Sequence, residues 1–177
     1  VAEAISNTFA KYVWLKMNPI KTGAIHVGKM VGKNNNIEIL DLFNTGLCND
    51  GLKSFANGLE EIGIQTNLRH LYLSINNIGI EACDDLNTIM KYTPNLESLY
   101  LGVNKWGDES IDKIATAIKN IKLRRLNLGS CGLTDESLGK IHKIVQNCPT
   151  LISLELSSYR STNYFNQDHN KFTNFQK

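Results

Sequence analysis

Apolar residues recur along this chain in one short pattern, with two polar positions, then one, between three aliphatic ones. Five segments carry it in full: Ile37/Leu40/Leu42, Leu68/Leu71/Leu73, Leu96/Leu99/Leu101, Leu123/Leu126/Leu128 and Leu151/Leu154/Leu156. Ala10/Val13/Leu15 is a weaker sixth copy. The last aliphatic position falls at 15, 42, 73, 101, 128 and 156, so successive copies are 27, 31, 28, 27 and 28 residues apart. Alternation over so short a run predicts a half-buried strand. Six are expected, near 12–15, 39–42, 70–73, 98–101, 125–128 and 153–156.

The register persists beyond each strand. Three residues after the last aliphatic position stand Asn18, Thr45, Asn76, Asn104, Cys131 and Tyr159. Two further on come Ile20, Leu47, Ile78, Trp106 and Leu133. Apolar spacings of three and four then follow, as in Ile111/Ile114/Ile118 and Leu138/Ile141/Val145, and predict helices. These are expected near 22–32, 51–62, 80–91, 108–120 and 135–147. Asp50, Asp108 and Thr134 sit where N-caps belong, and Pro94 and Pro149 where helices end. The extra 63–66 segment of the 31-residue unit predicts a longer loop after its helix.

A strand–turn–helix unit of this size cannot bury its apolar surface alone, so neighbouring units must stack and share a core. Strands then form a parallel sheet on one side and helices line the other. Because helices are wider than strands, the stack curves with the sheet inside. These motifs resemble the ribonuclease-inhibitor-like subfamily of leucine-rich repeats, over roughly residues 1–158. The resemblance implies an α/β leucine-rich-repeat solenoid: a right-handed β-α superhelix with a concave parallel sheet and convex helices. The expected organisation is a leucine-rich repeat domain over 1–159, with a truncated repeat at 1–9 and repeats starting near 10, 37, 68, 96, 123 and 151. Residues 1–7 align without a gap on 114–120, and read as the tail of a helix from a preceding repeat. Residues 160–177 contain no Leu, Ile or Val and read as a polar cap or a flexible extension, their composition favouring the extension.

Composition narrows the function classes. Nineteen Lys+Arg against seventeen Asp+Glu give a net charge of +2, which argues against bulk electrostatic binding of nucleic acid or a membrane surface. No stretch is long and apolar enough to span a bilayer. Cys48, Cys83, Cys131 and Cys148 show neither disulfide-scaffold density nor zinc-site spacing, and none of the 21 Asn lies in a glycosylation sequon. Four reduced thiols, with Cys83 and Cys131 buried, and a cytoplasmic setting (native, or after delivery into a host cell) are the expectation.

Chemistry is thin. Residues 23–29 match a phosphate-binding loop, G-x-x-x-x-G-K, but Met30 replaces the hydroxyl that would bind magnesium. The repeat register places Ala24, Ile25 and Gly28 on the buried stripe of a helix instead. His26, His70, His142 and His169 fall in different elements, and adjacent carboxylates such as Asp135/Glu136 point apart. No catalytic, cofactor-binding or metal-ligating residue is expected, and no enzyme activity.

What remains is the concave surface. Its central column reads Trp14, Asp41, Tyr72, Tyr100, Asn127, Glu155; its flanks read Tyr12, Ile39, His70, Ser98, Arg125, Ser153 and Lys16, Phe43, Ser74, Gly102, Gly129, Ser157. Large aromatics and arginine anchor protein interfaces. The expected partner-binding residues are therefore Trp14, Phe43, Tyr72 and Tyr100 as anchors, with Asp41, His70, Arg125 and Glu155 setting specificity. Convex Lys113, Lys140 and Lys143 are expected to be solvated. The family resemblance implies ligand recognition, as in nuclease inhibitors, immune-receptor sensor regions and bacterial effectors. Two alternatives stay open: a regulator of an enzyme or small GTPase, like activators of the Ran GTPase, or a structural segment of a larger enzyme.

Overall fold

The computed structural model describes residues 1–158 and 169–174. After a short helix α1 (Ala2–Ser6), strands and helices alternate: β1 (Tyr12–Trp14), α2 (Ala24–Lys33), β2 (Ile39–Asp41), α3 (Cys48–Ile62), β3 (His70–Tyr72), α4 (Cys83–Tyr92), β4 (Ser98–Tyr100), α5 (Gly107–Ile118), β5 (Arg125–Asn127), α6 (Leu138–Asn147) and β6 (Ser153–Glu155). The strands form one parallel sheet in chain order, and every expected strand is present. Register is strict: Val13, Leu40, Leu71, Leu99, Leu126 and Leu154 lie side by side across it. This is the α/β leucine-rich-repeat solenoid that the repeat pattern predicts.

The strand leucines and the helix stripes share one core. Leu40, Leu71 and Leu99 are wholly buried, whereas Leu15, Leu154 and Leu156 are only partly so, because the outer strands have a neighbour on one side alone. Single turns of 3-10 helix lead into α2, α4 and α6. Pro94 and Pro149 stand two residues past the ends of α4 and α6, as expected. In the 31-residue unit the added length is shared between a loop after α3 and the helix itself, at 15 residues the longest described.

Two of the three expected caps are corrected. Thr134 does cap, its hydroxyl accepting the Glu136 N–H at 3.3 Å. Asp108 instead lies inside α5, because its carboxylate is drawn sideways to the next repeat, accepting the N–H of Thr134 at 2.8 Å and its hydroxyl at 2.7 Å. Asp50 falls within the first turn of α3, which opens three residues earlier than the pattern predicts.

Helices α2 and α3 make the closest helix contact. A Cβ on Gly28 would lie 2.3 Å from the carbonyl oxygen of Phe55, and one on Gly58 2.2 Å from that of Ile25. Only glycine permits that approach. Gly28 and Ala24 are buried as the register predicts, while Ile25 is half-exposed at the rim of the contact. The loop-like 23–29 motif is thus a 3-10 turn and helix whose glycine serves packing.

The turn column ties repeats together through side chains. Asn104 accepts the N–H groups of Asn76 and Ile78 at 2.9 and 3.1 Å and donates to the carbonyls of Leu73 and Leu101 at 3.0 and 2.8 Å. Asn76 does the same one repeat earlier, toward Thr45, Leu47, Leu42 and Leu73. For the sixth unit the pattern names Tyr159, which lies outside the described residues, and Asn170 takes the place. It accepts from Cys131 and Leu133 N–H at 2.8 and 3.0 Å and donates to Leu128 and Leu156 carbonyls, both at 2.9 Å. Asn170 stands fourteen residues after Leu156, against three for Asn104 after Leu101, so eleven residues are interposed.

The repeat resumes beyond that point. Lys171 bridges Thr134 as Lys105 bridges Gly79, and Phe172 packs against the core as Trp106 does two repeats earlier. Thr173 then takes the Asp135 carboxylate through its N–H (2.8 Å) and hydroxyl, repeating the Asp108–Thr134 arrangement. Residues 169–174 therefore dock on the last repeat and are not extended away from it. The remainder of the expected tail lies outside the described residues.

Candidate functional site

The open face of the sheet is built by the strand positions that alternate with the buried leucines. Register sets Trp14, Asp41, Tyr72, Tyr100, Asn127 and Glu155 in one line, and Tyr12, Ile39, His70, Ser98, Arg125 and Ser153 in a second. Phe43 lies just past the end of β2. All eight expected residues are thus on one surface, though unequally presented.

At its centre the Tyr72 and Tyr100 rings stack, with centroids 4.3 Å apart and planes 3° from parallel. Both are half-buried, and burial beside Tyr100 holds the Tyr72 phenol above its ordinary pKa. Trp14 and Tyr12 are each 56% exposed, and the Lys16 ammonium lies 5.8 Å from the Trp14 ring centroid. Phe43 is half-buried. Asp41, by contrast, is buried between Trp14 and Tyr72, its carboxylate accepting the Phe43 N–H at 2.9 Å. That carboxylate fixes the strand end rather than standing out from the face.

The second line is more polar. His70 is half-buried, and burial outweighs the field of Glu97 to hold its imidazole below the ordinary value. Between His70 and Arg125 lies Ser98, buried, its hydroxyl without a hydrogen-bond partner among the described residues. Arg125 is exposed. Glu155 accepts from the Asn127 amide at 2.7 Å and from the Ser157 hydroxyl at 2.9 Å. Asn127 in turn lies over Gly102, where a Cβ would come within 2.4 Å of its carbonyl oxygen.

On the convex side the expectation of solvated lysines holds for Lys113 and Lys143 and is corrected at Lys140, which is half-buried. Lys143 pairs with Asp112 at 3.0 Å, and Lys140 donates to the Asp108 carbonyl at 3.0 Å. Facing helices bring these partners together from adjacent repeats.

The thiols are sheltered. Cys83, Cys131 and Cys148 are buried and Cys48 exposed, all unbridged. Burial pushes the Cys83 thiol up to about 11 and that of Cys131 to about 12. Among the described residues no three His, Cys, Asp or Glu side chains group as a metal would need. The histidines sit apart, on α2, β3, α6 and the docked 169–174 segment. No described helix is long and apolar enough to cross a membrane.

A second line of charged residues, at the edge where the chain enters each strand, escapes a reading focused on the open face. Lys11, Glu38, Arg69, Glu97 and Arg124 occupy one position of successive repeats, with alternating sign. Lys11 pairs with Glu38 at 2.9 Å and Arg69 with Glu97, whose carboxyl that guanidinium hydrogen bond holds below its ordinary value. The signal was present in the sequence as a column four residues before each last leucine.

Comparison with known proteins agrees with the fold. A family profile described as Leucine Rich repeat matches residues 33–56 and 119–141. Among solved structures, the actin-binding site 2 of leiomodin-1 superposes with a TM-score of 0.65 at 16% identity, covering 84% of this chain and 86% of that one. The tropomodulin C-terminal domain of Caenorhabditis elegans superposes with a TM-score of 0.53 at 11% identity, covering 92% of this chain and 86% of that one. No curated protein matches the sequence significantly. The profile thus matches two of the repeats, and the solved structures share the leucine-rich-repeat fold.

Proposed function

We propose that this chain is a non-enzymatic protein-binding module whose partner lies on the open face of the sheet. The observation that carries the reading is the Tyr72–Tyr100 stack, continued toward the N-terminal end by Phe43 and Trp14 on a surface that faces away from the core. Stiff aromatic side chains bury large area with few rotamers to fix, which is why they dominate interface energetics. Neighbouring strands are about 4.8 Å apart, so Trp14 to Tyr100 spans about 14 Å. That width suits a loop or helix of a protein better than a small metabolite. His70 and Arg125 border the stack and supply polar selection; Glu155, held by Asn127 and Ser157, marks its far end. The leucine pattern followed three residues on by Asn or Cys, as at Asn76, Asn104 and Cys131, supports the ribonuclease-inhibitor-like subfamily, and the absence of sequons supports a cytoplasmic setting.

Actin is the first partner to test, because the actin-binding site 2 of leiomodin-1 shares this fold. Co-sedimentation with actin filaments and gel filtration with monomeric actin serve the purpose. For whichever partner is captured, Tyr72→Ala or Tyr100→Ala should weaken binding by about 2 kcal/mol or more, as anchors do, with little change in thermal stability. Lys113→Ala on the convex face should leave binding unchanged. Losses confined to convex variants would overturn the proposal.

A further inference from the structure

A groove of about 650 Å³ runs along the strand-entry edge, from Asn36 past Asn67 and Asn95 to Thr150. One wall is the charged line described above. The other is an asparagine ladder, in which Asn67 donates to the Asn35 carbonyl at 3.0 Å and Asn95 to the Asn67 side chain at 3.3 Å. From Asn36 to Thr150 the groove crosses four strand steps, about 19 Å, the length of about six extended residues.

The charges along it are not balanced at both ends. Glu38 and Glu97 are taken by Lys11 and Arg69, whereas Arg124 and its neighbour Lys122 have no ion pair among the described residues. Both are exposed. The alternation calls for an acid at the next position of the line, and Ile152 stands there, 61% exposed. Its place in register is firm, because Ile152 and Ser153 both donate to the Arg124 carbonyl at 2.9 and 3.0 Å, just as Arg124 and Arg125 donate to that of Glu97.

We infer that this groove binds an extended polypeptide segment of a partner, with a carboxylate seated on Arg124 and Lys122 and an apolar side chain against Ile152. The ligand completes the charge alternation that the chain itself breaks off. Glu38 and Glu97 disfavour a uniform polyanion such as nucleic acid, which would meet a carboxylate at alternate repeats. The inference is independent of the open-face reading, since these residues line a different edge.

The test uses the whole chain, isotope-labelled, at low salt. It is titrated with an acetylated Gly/Ser hexapeptide ending in two glutamates, and in parallel with the same peptide ending in two lysines. Amide shifts at Lys122, Arg124, Thr150 and Ile152 with the glutamate peptide alone are expected. The pair Lys122→Ala and Arg124→Ala together should weaken it at least about tenfold, the effect of losing one charge-assisted contact. Ile152→Glu, which places the acid in the chain itself, should weaken it similarly while preserving the spectrum of the folded state. No titration at millimolar peptide, equal shifts with the lysine peptide, undiminished binding by either variant, or stronger displacement by an oligonucleotide than by the peptide would each overturn it.

Discussion

Asn104 makes two repeats into one object with a single side chain. Four of its hydrogen bonds, to Asn76, Ile78, Leu73 and Leu101, satisfy buried main-chain groups that no helix or strand ladder reaches, and each such group left unpaired costs about 1–3 kcal/mol. Asn104→Ala strands two N–H donors, so denaturant unfolding should register a loss of about 2–6 kcal/mol. Cysteine chemistry follows from the same burial. With the Cys83 and Cys131 thiols pushed up to about 11 and about 12, neither offers thiolate near neutral pH. Ellman reagent should therefore titrate Cys48 alone in the native protein and all four thiols after denaturation; rapid reaction of a second would place the core register in error. His70 adds a pH dependence of definite sign. Burial lowers its folded pKa, so on acidification the unfolded chain takes up a proton first, below about pH 6.5. Its contribution is complete above that value and is lost as pH falls through the lower folded pKa. His70→Gln should flatten the decline of the unfolding midpoint between about pH 7 and pH 5, relative to the parent.

At the scale of the element, the strands were legible because Leu71, Leu99 and their equivalents are neither optional nor interchangeable: period-two alternation has one solution once helices cover the other face. The helix starts were less so. Asp108 has the chemistry of a cap but a neighbour, Thr134, close enough to claim it, and proximity across repeats is not written in any one repeat. The open-face residues were placed by the same alternation, yet the burial of Asp41 and the Tyr72–Tyr100 stack depend on cross-strand distances that spacing alone does not carry. Asn170 was hidden for a different reason. Asn170-Lys171-Phe172 repeats Asn104-Lys105-Trp106, but the eleven interposed residues defeat a search at fixed period. Its role predicts a local effect. Asn170→Ala should abolish the hydrogen-exchange protection of the Cys131 and Leu133 amides, while those of Asn76 and Ile78, held by Asn104, stay protected. Equal loss at both pairs would mean that the docked segment supports the fold globally rather than its last repeat.

At the scale of the molecule, a stack whose units touch only their neighbours is as stable as its weakest join. The α2–α3 join is the tightest, since the two helices meet glycine on glycine. Toward the other end, Leu154 and Leu156 are only partly buried, and α6 buries just Ile141 and Ile144. Leu99 sits between these halves, wholly buried in β4. Leu99→Ala should cost about 2–5 kcal/mol, the usual range for a core leucine truncated to alanine. The loss should not be shared evenly. A cavity at β4 weakens the join through which β5 and β6 lean on the rest, so amides of Leu126, Leu128 and Leu154 should exchange earlier than those of Leu40 and Leu71. The open face straddles that join: Tyr72 lies on one side of it and Arg125 on the other. A partner that contacts both would clamp the two halves, and bound protein should recover protection in β5 and β6 that the Leu99→Ala variant has lost. Uniform exchange across the sheet, with and without partner, would show instead that all six repeats unfold as one unit.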